Sequence, residues 1–230
     1  MADDYWVSFW KARGQESVGQ DPQIRVCRTS NKQPISEDRW KQTLAYIHQQ
    51  FPIGPGAVLL DACAGNGLFS REFADRGALV ISLDISTELL AELDTLAHPR
   101  IQICCQDMRT LEFATGQFSH VFLYAGIQYI SHAEAVRFVR ACHHWLKPGG
   151  RLMIGDIPDV ALRWAFYNSA ERRASYFENL SQERDVIGTW FERDWVRFLA
   201  EDVGFSTVVI RDQPAEQIYA HFRFDAFFEK

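Results

Sequence analysis

The sequence predicts an α/β protein with a doubly wound, mostly parallel sheet of seven strands, the last of them antiparallel, and helices on both faces. Strand-like and helix-like segments alternate five times between residues 57 and 155, and each strand is a continuous apolar run. Strands of that kind are buried on both faces, as in a parallel sheet between two helical layers. Only about six residues separate the last two predicted strands, so these two must run antiparallel.

The predicted elements follow one another with recognisable starts and stops. The predicted helices cover residues 34–51, 68–76, 86–96, 131–146 and 190–203. Ser36, Ser86 and Ser131 are their N-cap residues, and Gly77 and Gly204 follow two of the helices as C-caps. The apolar residues of each helix recur at three- and four-residue spacing, which is typical of helices that pack one face against a sheet.

The strands are the apolar runs between these helices. They cover residues 57–62, 78–84, 101–105, 121–124, 151–155, 206–211 and 218–228. Lys147-Pro148-Gly149-Gly150 predicts a turn into the fifth of them. Residues 157–189 lack the compact rhythm of strand and helix, so we interpret them as an insertion.

Length and composition favour one domain over residues 1–230. The chain has 230 residues, of which 47% are hydrophobic, enough for one sizeable core and short for two. We expect two additions to this domain, an aromatic N-terminal lid over residues 1–35 and the insertion over 157–189. The formal charge of −6 gives no general basic surface, which argues against nucleic acid or an anionic membrane as partner.

Cysteine usage and the N-terminus favour a cytoplasmic protein. The five cysteines are an odd number without a Cys-x-x-Cys spacing, which is typical of reduced, buried thiols. The chain starts with acidic residues, and no apolar run approaches the ~20 residues of a membrane span. We therefore expect neither export nor membrane insertion. The sequence shows no recognisable metal-binding cluster and leaves the oligomeric state open.

Three acids stand at the carboxyl ends of the first three strands: Asp61, Asp84 and Asp107. A dinucleotide site would need a Gly-x-Gly-x-x-Gly turn, but the third glycine is absent after Gly65-x-Gly67, and Asp61 would repel a phosphate. Asp84 suits the two hydroxyls of a ribose, and Asp107 suits the exocyclic amine of a base. Each acid alone can equally be a cap, a turn former or a solvated loop residue. Together they indicate a cationic nucleoside without phosphate.

The run Leu60-Asp61-Ala62-Cys63-Ala64-Gly65-Asn66-Gly67 resembles the first motif of the class I methyltransferases that use S-adenosylmethionine, with Cys63 at the place of its first glycine. The resemblance covers residues 36–156 well and the last 40 in outline, and residues 146–152 are similar to the family's turn into its fifth strand. It implies a Rossmann-like fold, S-adenosylmethionine as cofactor and S-adenosylhomocysteine as product. The cofactor-binding positions that it implies are Asp61, Ala62, Cys63, Gly65, Gly67, Asp84, Ile85, Asp107, Met108, Leu123 and Tyr124.

Other residues are candidates for the reaction itself. Tyr129 and Asp156 follow strand ends and should border the cleft, where Asp156 can orient an acceptor or a base. His221, near the start of the last strand, is a candidate base, with a satisfied interior histidine as the alternative. Arg28 is a candidate partner of the cofactor carboxylate, or else a surface ion-pair residue. Methyl transfer from a sulfonium is an in-line displacement, so positioning supplies much of the acceleration.

The aromatic N-terminal segment and the 157–189 insertion are expected to form the acceptor site. An aromatic-lined pocket suggests a small organic acceptor, with oxygen slightly ahead of nitrogen as the methylated atom. Two alternatives remain from the sequence. One is an enzyme of the same fold that uses another part of the cofactor, and the other is a catalytically silent cofactor-binding module that acts through a partner.

Overall fold

The computed structural model describes residues 5–183 and 186–230. The chain begins with elements that precede the main sheet: helices α1 (Tyr5–Glu16) and α2 (Pro22–Arg25), a small hairpin of β1 (Thr29–Ser30) and β2 (Gln33–Pro34), and helix α3 (Glu37–Gln50). The strands of the main sheet are β3 (Val58–Ala62), β4 (Leu79–Asp84), β5 (Ile101–Cys105), β6 (Phe118–Tyr124), β7 (Leu146–Pro158), β8 (Thr207–Asp212) and β9 (Arg223–Glu229). Between them lie α4 (Leu68–Asp75), α5 (Thr87–Asp94), α6 (His132–Trp145), α7 (Arg163–Phe166), α8 (Ala170–Ser181) and α9 (Arg193–Val203).

The main sheet has the order β5-β4-β3-β6-β7-β9-β8, which confirms the predicted seven-stranded sheet. Strands β3 to β7 pair in parallel, while β9 runs antiparallel to both of its neighbours, β7 and β8. Strand β3 lies inside the sheet, and the chain moves outward from it first through β4 and β5 and then, on the other side, through β6 and β7. This reversal of strand order opens a crevice at the carboxyl ends of the strands, where α/β proteins bind their ligands.

The apolar runs bury both faces of the sheet, as the continuous pattern predicts. On one face Leu60 and Val121 pack with residues of α6 and α9. On the other face Leu59 and Phe122 pack with residues of α3 and α4. Alternate residues of the same strand thus enter different cores, so a register shift of one residue would exchange the two sets.

Four of the five predicted caps are present at the helix ends, whereas Gly77 follows Arg76, which is the C-cap of α4. Ser36 and Ser86 each accept a hydrogen bond from a backbone N–H in the first turn of α3 and α5. Ser131 and Glu134 form the capping box of α6. Gly204 closes α9 in the left-handed conformation with φ of 103°. These local signals explain why the starts of these helices are predictable from sequence.

Several predicted boundaries differ from the structure. Helix α9 begins at Arg193 rather than at residue 190, because Phe191 forms a β-bridge with Asp159. Strand β9 begins at Arg223 rather than at residue 218, because the chain turns before it. Residues 147–150 lie within the bounds of β7, where the register with β6 shifts. The segment 157–189 contains the end of β7 and two helices, α7 and α8, so it is more regular than the sequence suggests.

None of the helices in the two described ranges has both the length and the apolar character needed to cross a lipid bilayer.

Candidate functional site

A cavity of about 390 Å³ opens at the carboxyl ends of the central strands. Three parts of the chain surround it: the loops that follow β3 to β7, the N-terminal segment before β1, and the segments after α8 and before β9. Its lining includes Trp6, Phe9, Trp10, Val26, Cys27, Arg28, Cys63, Gly65, Asn66, Asp84, Ile85, Asp107, Met108, Tyr124, Gln128, Tyr129, Asp156, Phe166, Val186, Ile187, Tyr219, Phe222 and Arg223. Strand ends thus meet the N-terminal segment over a single space.

The turn after β3, residues 63–67, is the glycine turn, and it needs its two glycines for different reasons. Gly65 has a φ of +57°, and a Cβ on it would lie 2.7 Å from Cγ1 of Val26 in the N-terminal segment. Gly67 is the N-cap of α4 with a φ of 79°, and a Cβ there would lie 2.5 Å from Leu93 Cδ1. Cys63 holds a φ of 61°, a conformation that costs a non-glycine residue some strain. The turn therefore lets the N-terminal segment and α5 approach closely.

Asp84 is a buried carboxylate at the end of β4 that also lines the cavity. Its Oδ2 accepts the backbone N–H of Gly65 at 2.8 Å, and its Oδ1 accepts that of Ser86 at 2.9 Å. Burial raises the pKa of Asp84, and the two backbone hydrogen bonds oppose that rise. Each oxygen retains acceptor capacity, so the carboxylate can still take hydroxyl donors from a ligand.

Asp61 lies behind the cavity wall rather than in it. Its Oδ2 accepts a hydrogen bond of 2.5 Å from the hydroxyl of Ser70, which in turn accepts one of 2.7 Å from Ser82. Burial, with the charge of Asp84, raises the pKa of Asp61 to about 7 against the effect of Ser70. The side chain therefore connects β3 to α4 and supports the turn from behind.

The raised pKa of Asp61 gives a stability difference that depends on pH. A buried acid with a folded-state pKa of about 7 and an ordinary value of 3.8 weakens the fold as pH rises through that interval, because its ionised form is disfavoured. We expect Asp61→Asn to gain stability relative to the wild type by about 3 kcal/mol between pH 4 and pH 7.5, with no further gain above. Urea unfolding of both proteins across this range measures it. A constant difference would contradict the raised pKa.

Asp107 follows β5 and forms an ion pair with Arg109. Both of its carboxylate oxygens accept hydrogen bonds from the Arg109 guanidinium, at 2.5 to 3.0 Å. Although burial opposes it, Arg109 lowers the pKa of Asp107. Met108, between them, lines the cavity, with its sulfur 3.2 Å from that of Cys63. The ion pair fixes this loop beside the apolar surface of Met108. A carboxylate next to an apolar surface suits the edge and the face of a flat base.

Arg28 is a buried cation without an acidic partner among the residues that the structure describes. Its Cζ lies over three aromatic rings, 4.7 Å from the centroid of Tyr124, 5.2 Å from that of Phe69 and 5.3 Å from that of Trp40. Its hydrogen bond is a long one, from Nη2 to the Tyr124 hydroxyl at 3.4 Å, and Nε has no partner. A buried guanidinium with unused donors in a cavity wall is suited to an anionic ligand group.

The N-terminal segment is fixed over the cavity at several points. The buried Arg25 forms an ion pair with Glu92 of α5. Asn66 Nδ2 donates to the carbonyl of Pro22 at 3.0 Å. The hydroxyl of Tyr219, before β9, is 3.1 Å from the carbonyl of Cys27 and 3.2 Å from that of Thr29. The segment is therefore held to the glycine turn on one side and to the loop before β9 on the other.

The opposite side of the cavity contains a second polar cluster. Asp156, at a φ of 62° within β7, is buried and lines the cavity. Its Oδ2 lies 3.3 Å from Nη1 of Arg223, which also donates to the Asp156 carbonyl at 2.6 Å. Asp225 accepts the backbone N–H of Asp156 at 2.7 Å, and Gln213 donates to both acids, at 3.2 and 2.9 Å. This cluster holds Asp156 in its left-handed conformation.

Aromatic side chains form the wall between the two polar regions. Tyr129 contacts Trp6 and Trp10 of α1, with ring centroids 4.7 and 5.3 Å apart. Phe166 and Phe222 approach one another at 4.8 Å on the other side. Burial raises the pKa of Tyr129, so its hydroxyl remains protonated near neutral pH. The wall offers a flat, apolar surface with few ionisable groups.

The structure brings together most of the predicted site residues. The cavity lining includes Cys63, Gly65, Asp84, Ile85, Asp107, Met108, Tyr124, Arg28, Tyr129 and Asp156. Asp61, Ala62, Gly67 and Leu123 lie outside the lining and support it from behind. His221 is also outside the lining: it is exposed, packs on Phe222, and lies in the turn before β9 rather than in a strand.

Arg223, Asp225 and Gln213 are site residues that the sequence analysis missed. A signal for two of them was present, because Arg223 and Asp225 are charged residues at two-residue spacing in a stretch that is otherwise aromatic and apolar from Phe222 to Phe228. Charged side chains that point inward from a buried strand need partners, and such positions are candidates for function.

The polar groups that lack partners test whether a polar ligand fits. Among the described residues, ten buried side-chain polar atoms have no hydrogen-bond partner. Five of these belong to residues of the cavity lining: Trp10 Nε1, Arg28 Nε, Asn66 Oδ1, Gln128 Oε1 and Arg223 Nε. Since buried polar groups are normally satisfied, their concentration here fits a ligand with its own donors and acceptors. Within the described ranges, no group of three or more His, Cys, Asp or Glu could hold a metal ion.

Comparison with known proteins adds sequence relatives to this geometry. Residues 59–150 match a family model described as a methyltransferase domain. A demethylmenaquinone methyltransferase of Beutenbergia cavernae is 34% identical over 102 residues, 44% of this chain and 41% of that protein. A ubiquinone biosynthesis O-methyltransferase of Xylella fastidiosa is 33% identical over 117 residues, 50% of this chain and 47% of that protein. The matches thus span less than half the length of these two relatives.

Solved structures are similar in fold. The magnesium protoporphyrin IX methyltransferase of Synechocystis, with bound S-adenosylhomocysteine, superposes with a TM-score of 0.62 at 18% identity, over 98% of this chain and 95% of that one. The phosphoethanolamine N-methyltransferase 2 of Haemonchus contortus, in complex with S-adenosylmethionine, gives 0.59 at 19% identity, over 83% of this chain and 52% of that one. At such identities the similarity concerns the fold.

Proposed function

We propose that this chain is a class I S-adenosylmethionine-dependent methyltransferase, which binds S-adenosylmethionine in the cavity and transfers the methyl group to a small organic molecule. The observation that carries the proposal is the placement of two opposite charges in one cavity. The Asp84 carboxylate lies at the strand ends, and the Arg28 guanidinium, which has no acidic partner among the described residues, comes from the N-terminal segment. These are the charges that suit the ribose and the amino-acid carboxylate of that cofactor.

The remaining cofactor contacts follow from the lining. Asp84 would accept the ribose hydroxyls, and Arg28 would bind the carboxylate. Ile85 and Met108 would lie against the adenine, with Asp107 at its edge. The backbone of the glycine turn would lie beside the amino-acid part, since Gly65 is in the cavity lining. S-adenosylhomocysteine would occupy the same positions after transfer.

The reaction needs an acceptor in line with the sulfur and the methyl group. In the transfer, the sulfur–carbon bond breaks with its electron pair left on sulfur, a bond forms from the acceptor oxygen to the methyl carbon, and the hydroxyl proton would pass to the Asp156 carboxylate. Within the described part of the cavity lining there is no histidine or lysine, and Asp156 is the carboxylate on the acceptor side. It would accept a hydrogen bond from the acceptor hydroxyl and orient it. We propose oxygen ahead of nitrogen as the methylated atom on this basis.

The binding experiment compares three ligands. We expect S-adenosylmethionine and S-adenosylhomocysteine to stabilise the protein, by about 2.7 kcal/mol at a ligand concentration of 100 Kd, and NAD to leave it unchanged. Thermal unfolding and calorimetry measure both effects. Stabilisation by NAD alone would overturn the proposal. Binding of S-adenosylmethionine without methylation of any hydroxylated or amine acceptor in a broad panel would instead support a silent binding module.

The candidate catalytic residues should separate in single-turnover experiments. We expect Asp156→Asn to slow methyl transfer about 100-fold while S-adenosylhomocysteine binds normally, since asparagine tolerates the left-handed backbone but carries no charge. We expect His221→Gln to stay within about twofold of the wild type, because the exposed ring lies outside the cavity lining. The reverse order of effects would restore His221 as the base.

A further inference from the structure

Two buried arginines line the cavity, and the proposed function employs one of them. Arg28 is assigned to the cofactor carboxylate, which leaves Arg223 without a role in cofactor binding. Arg223 is 6% exposed and lies at the start of β9, beside Asp156. A chain of contacts connects the two cations: Gln213 lies 3.4 Å from the Tyr124 hydroxyl that Arg28 contacts, and 3.2 Å from Asp156. Arg223 therefore stands at the acceptor end of the cavity.

Arg223 uses only one of its nitrogens in the described part of the protein. Nη1 donates to the Asp156 carbonyl at 2.6 Å and lies 3.3 Å from the Asp156 carboxylate. Nε is buried without a partner, and Nη2 has none of these contacts. Nε and Nη2 form the edge of a guanidinium that matches two oxygens of a carboxylate. The available edge is thus the bidentate one.

The surroundings of this edge are aromatic. The Arg223 Cζ lies 5.2 Å from the ring of Tyr219 and 5.0 Å from that of Phe222, both of which line the cavity. Trp6, Trp10 and Tyr129 provide the facing wall. A ligand placed here would meet flat apolar surfaces on its faces and a guanidinium at one end. Those are the contacts of a planar ring that carries an acidic substituent.

Charge distinguishes a carboxylate from a phosphate. Asp156 and the neighbouring Asp225 already offset the charge of Arg223, so a bound monoanion adds one further negative charge beside the positive sulfonium of the proposed cofactor. A phosphate dianion would bring a second negative charge next to the Asp156 carboxylate in a buried site, which is costly. The site therefore favours the carboxylate.

We propose that the methyl acceptor is a hydroxylated aromatic carboxylic acid, with its carboxylate on the Nε–Nη2 edge of Arg223 and its ring against the aromatic wall. This proposal rests on the proposed function, because it places the cofactor at Arg28. The hydroxyl would then face Asp156, and Arg223 would determine which acceptors bind.

The test uses matched pairs of acids and their uncharged amides. Protein saturated with S-adenosylhomocysteine is titrated with 4-hydroxybenzoate, 3,4-dihydroxybenzoate and 1-hydroxy-2-naphthoate, each against its carboxamide, and with phenyl phosphate. We expect at least one acid to bind tenfold or more tightly than its amide. In Arg223→Met the ratio of acid affinity to amide affinity should fall to about one. In Arg223→Lys, which retains the charge but loses the paired N–H donors of the guanidinium, the ratio should be intermediate. The matched control is Arg173→Met, because Arg173 is an exposed arginine of α8.

Each outcome decides between the alternatives. Acids that bind no better than amides, a ratio unchanged in Arg223→Met, or no binding of any acid would overturn the proposal. Tighter binding of phenyl phosphate than of the acids would overturn the choice of a carboxylate. If Arg223→Met does not fold, the wild-type ratio and Arg223→Lys still decide. Failure of S-adenosylhomocysteine to bind would contradict the proposed function instead, whereas normal binding without acid preference contradicts this inference alone.

Discussion

Replacing Asp84 with asparagine should weaken the binding of S-adenosylhomocysteine by about 100-fold. The carboxylate is buried, accepts two backbone N–H groups and would take both ribose hydroxyls in the proposed complex. Charge-assisted hydrogen bonds contribute about 1.5–3 kcal/mol each, and an amide nitrogen in place of one oxygen turns an acceptor into a donor. Titration calorimetry at constant pH and salt measures the loss.

The control for this variant is Asp94→Asn, at an exposed acid near the end of the helix that follows. It should bind S-adenosylhomocysteine like the wild type. Since Asp84 also supports the glycine turn, circular dichroism and urea unfolding of Asp84→Asn must show a folded protein before the affinity is interpreted. A folded variant with affinity within threefold of the wild type would remove Asp84 from the ribose site.

Arg28→Met should have two effects of opposite sign. Affinity for S-adenosylhomocysteine should fall about 30-fold, or about 2 kcal/mol, because the carboxylate loses its cation. The protein without ligand should become more stable by about 1 kcal/mol, because a buried charge that lies against three aromatic rings and has no acidic partner in the described part of the chain is replaced by an apolar side chain of similar length. Calorimetry and urea unfolding measure the two quantities.

A second ligand makes the assignment of Arg28 specific. Methylthioadenosine has the adenosine and sulfur of the cofactor but no amino-acid part. Arg28→Met should therefore bind it like the wild type, whereas Asp84→Asn should lose affinity for both ligands. Equal weakening of both ligands by Arg28→Met would show that Arg28 shapes the cavity as a whole and does not bind the carboxylate.

The sequence predicts the sheet well, and it places many of its candidate residues in the cavity lining, because these signals are local. Buried parallel strands are continuous apolar runs, helix starts carry their own caps, and Asp84 stands one strand away from the glycine turn. Each of these signals lies within a few residues of the structure it specifies. The exact ends of the helices and strands depend on tertiary contacts as well. Helix α9, for example, begins at Arg193 because Phe191 forms a β-bridge with Asp159.

The acceptor side was less predictable because its contacts join distant parts of the chain. Arg223 pairs with Asp156, 67 residues earlier, and Tyr219 contacts the carbonyl of Cys27, 192 residues earlier. No local pattern specifies such pairs. The position of His221 shows the same limit: a shift of the strand start from residue 218 to Arg223 places its ring outside the cavity lining.

The two sides of the cavity come from different parts of the chain. The glycine turn, Asp84 and Asp107 lie within residues 59–150, the part that matches the methyltransferase family model. Arg28, Asp156 and Arg223 lie outside it, in the segments that close the cavity. Arg28 belongs to the proposed cofactor site, whereas substitutions around Asp156 and Arg223 should change which molecule is accepted while the proposed cofactor contacts stay intact. Engineering of a new acceptor preference should begin around Asp156 and Arg223, with Arg28 and the matched region left unaltered.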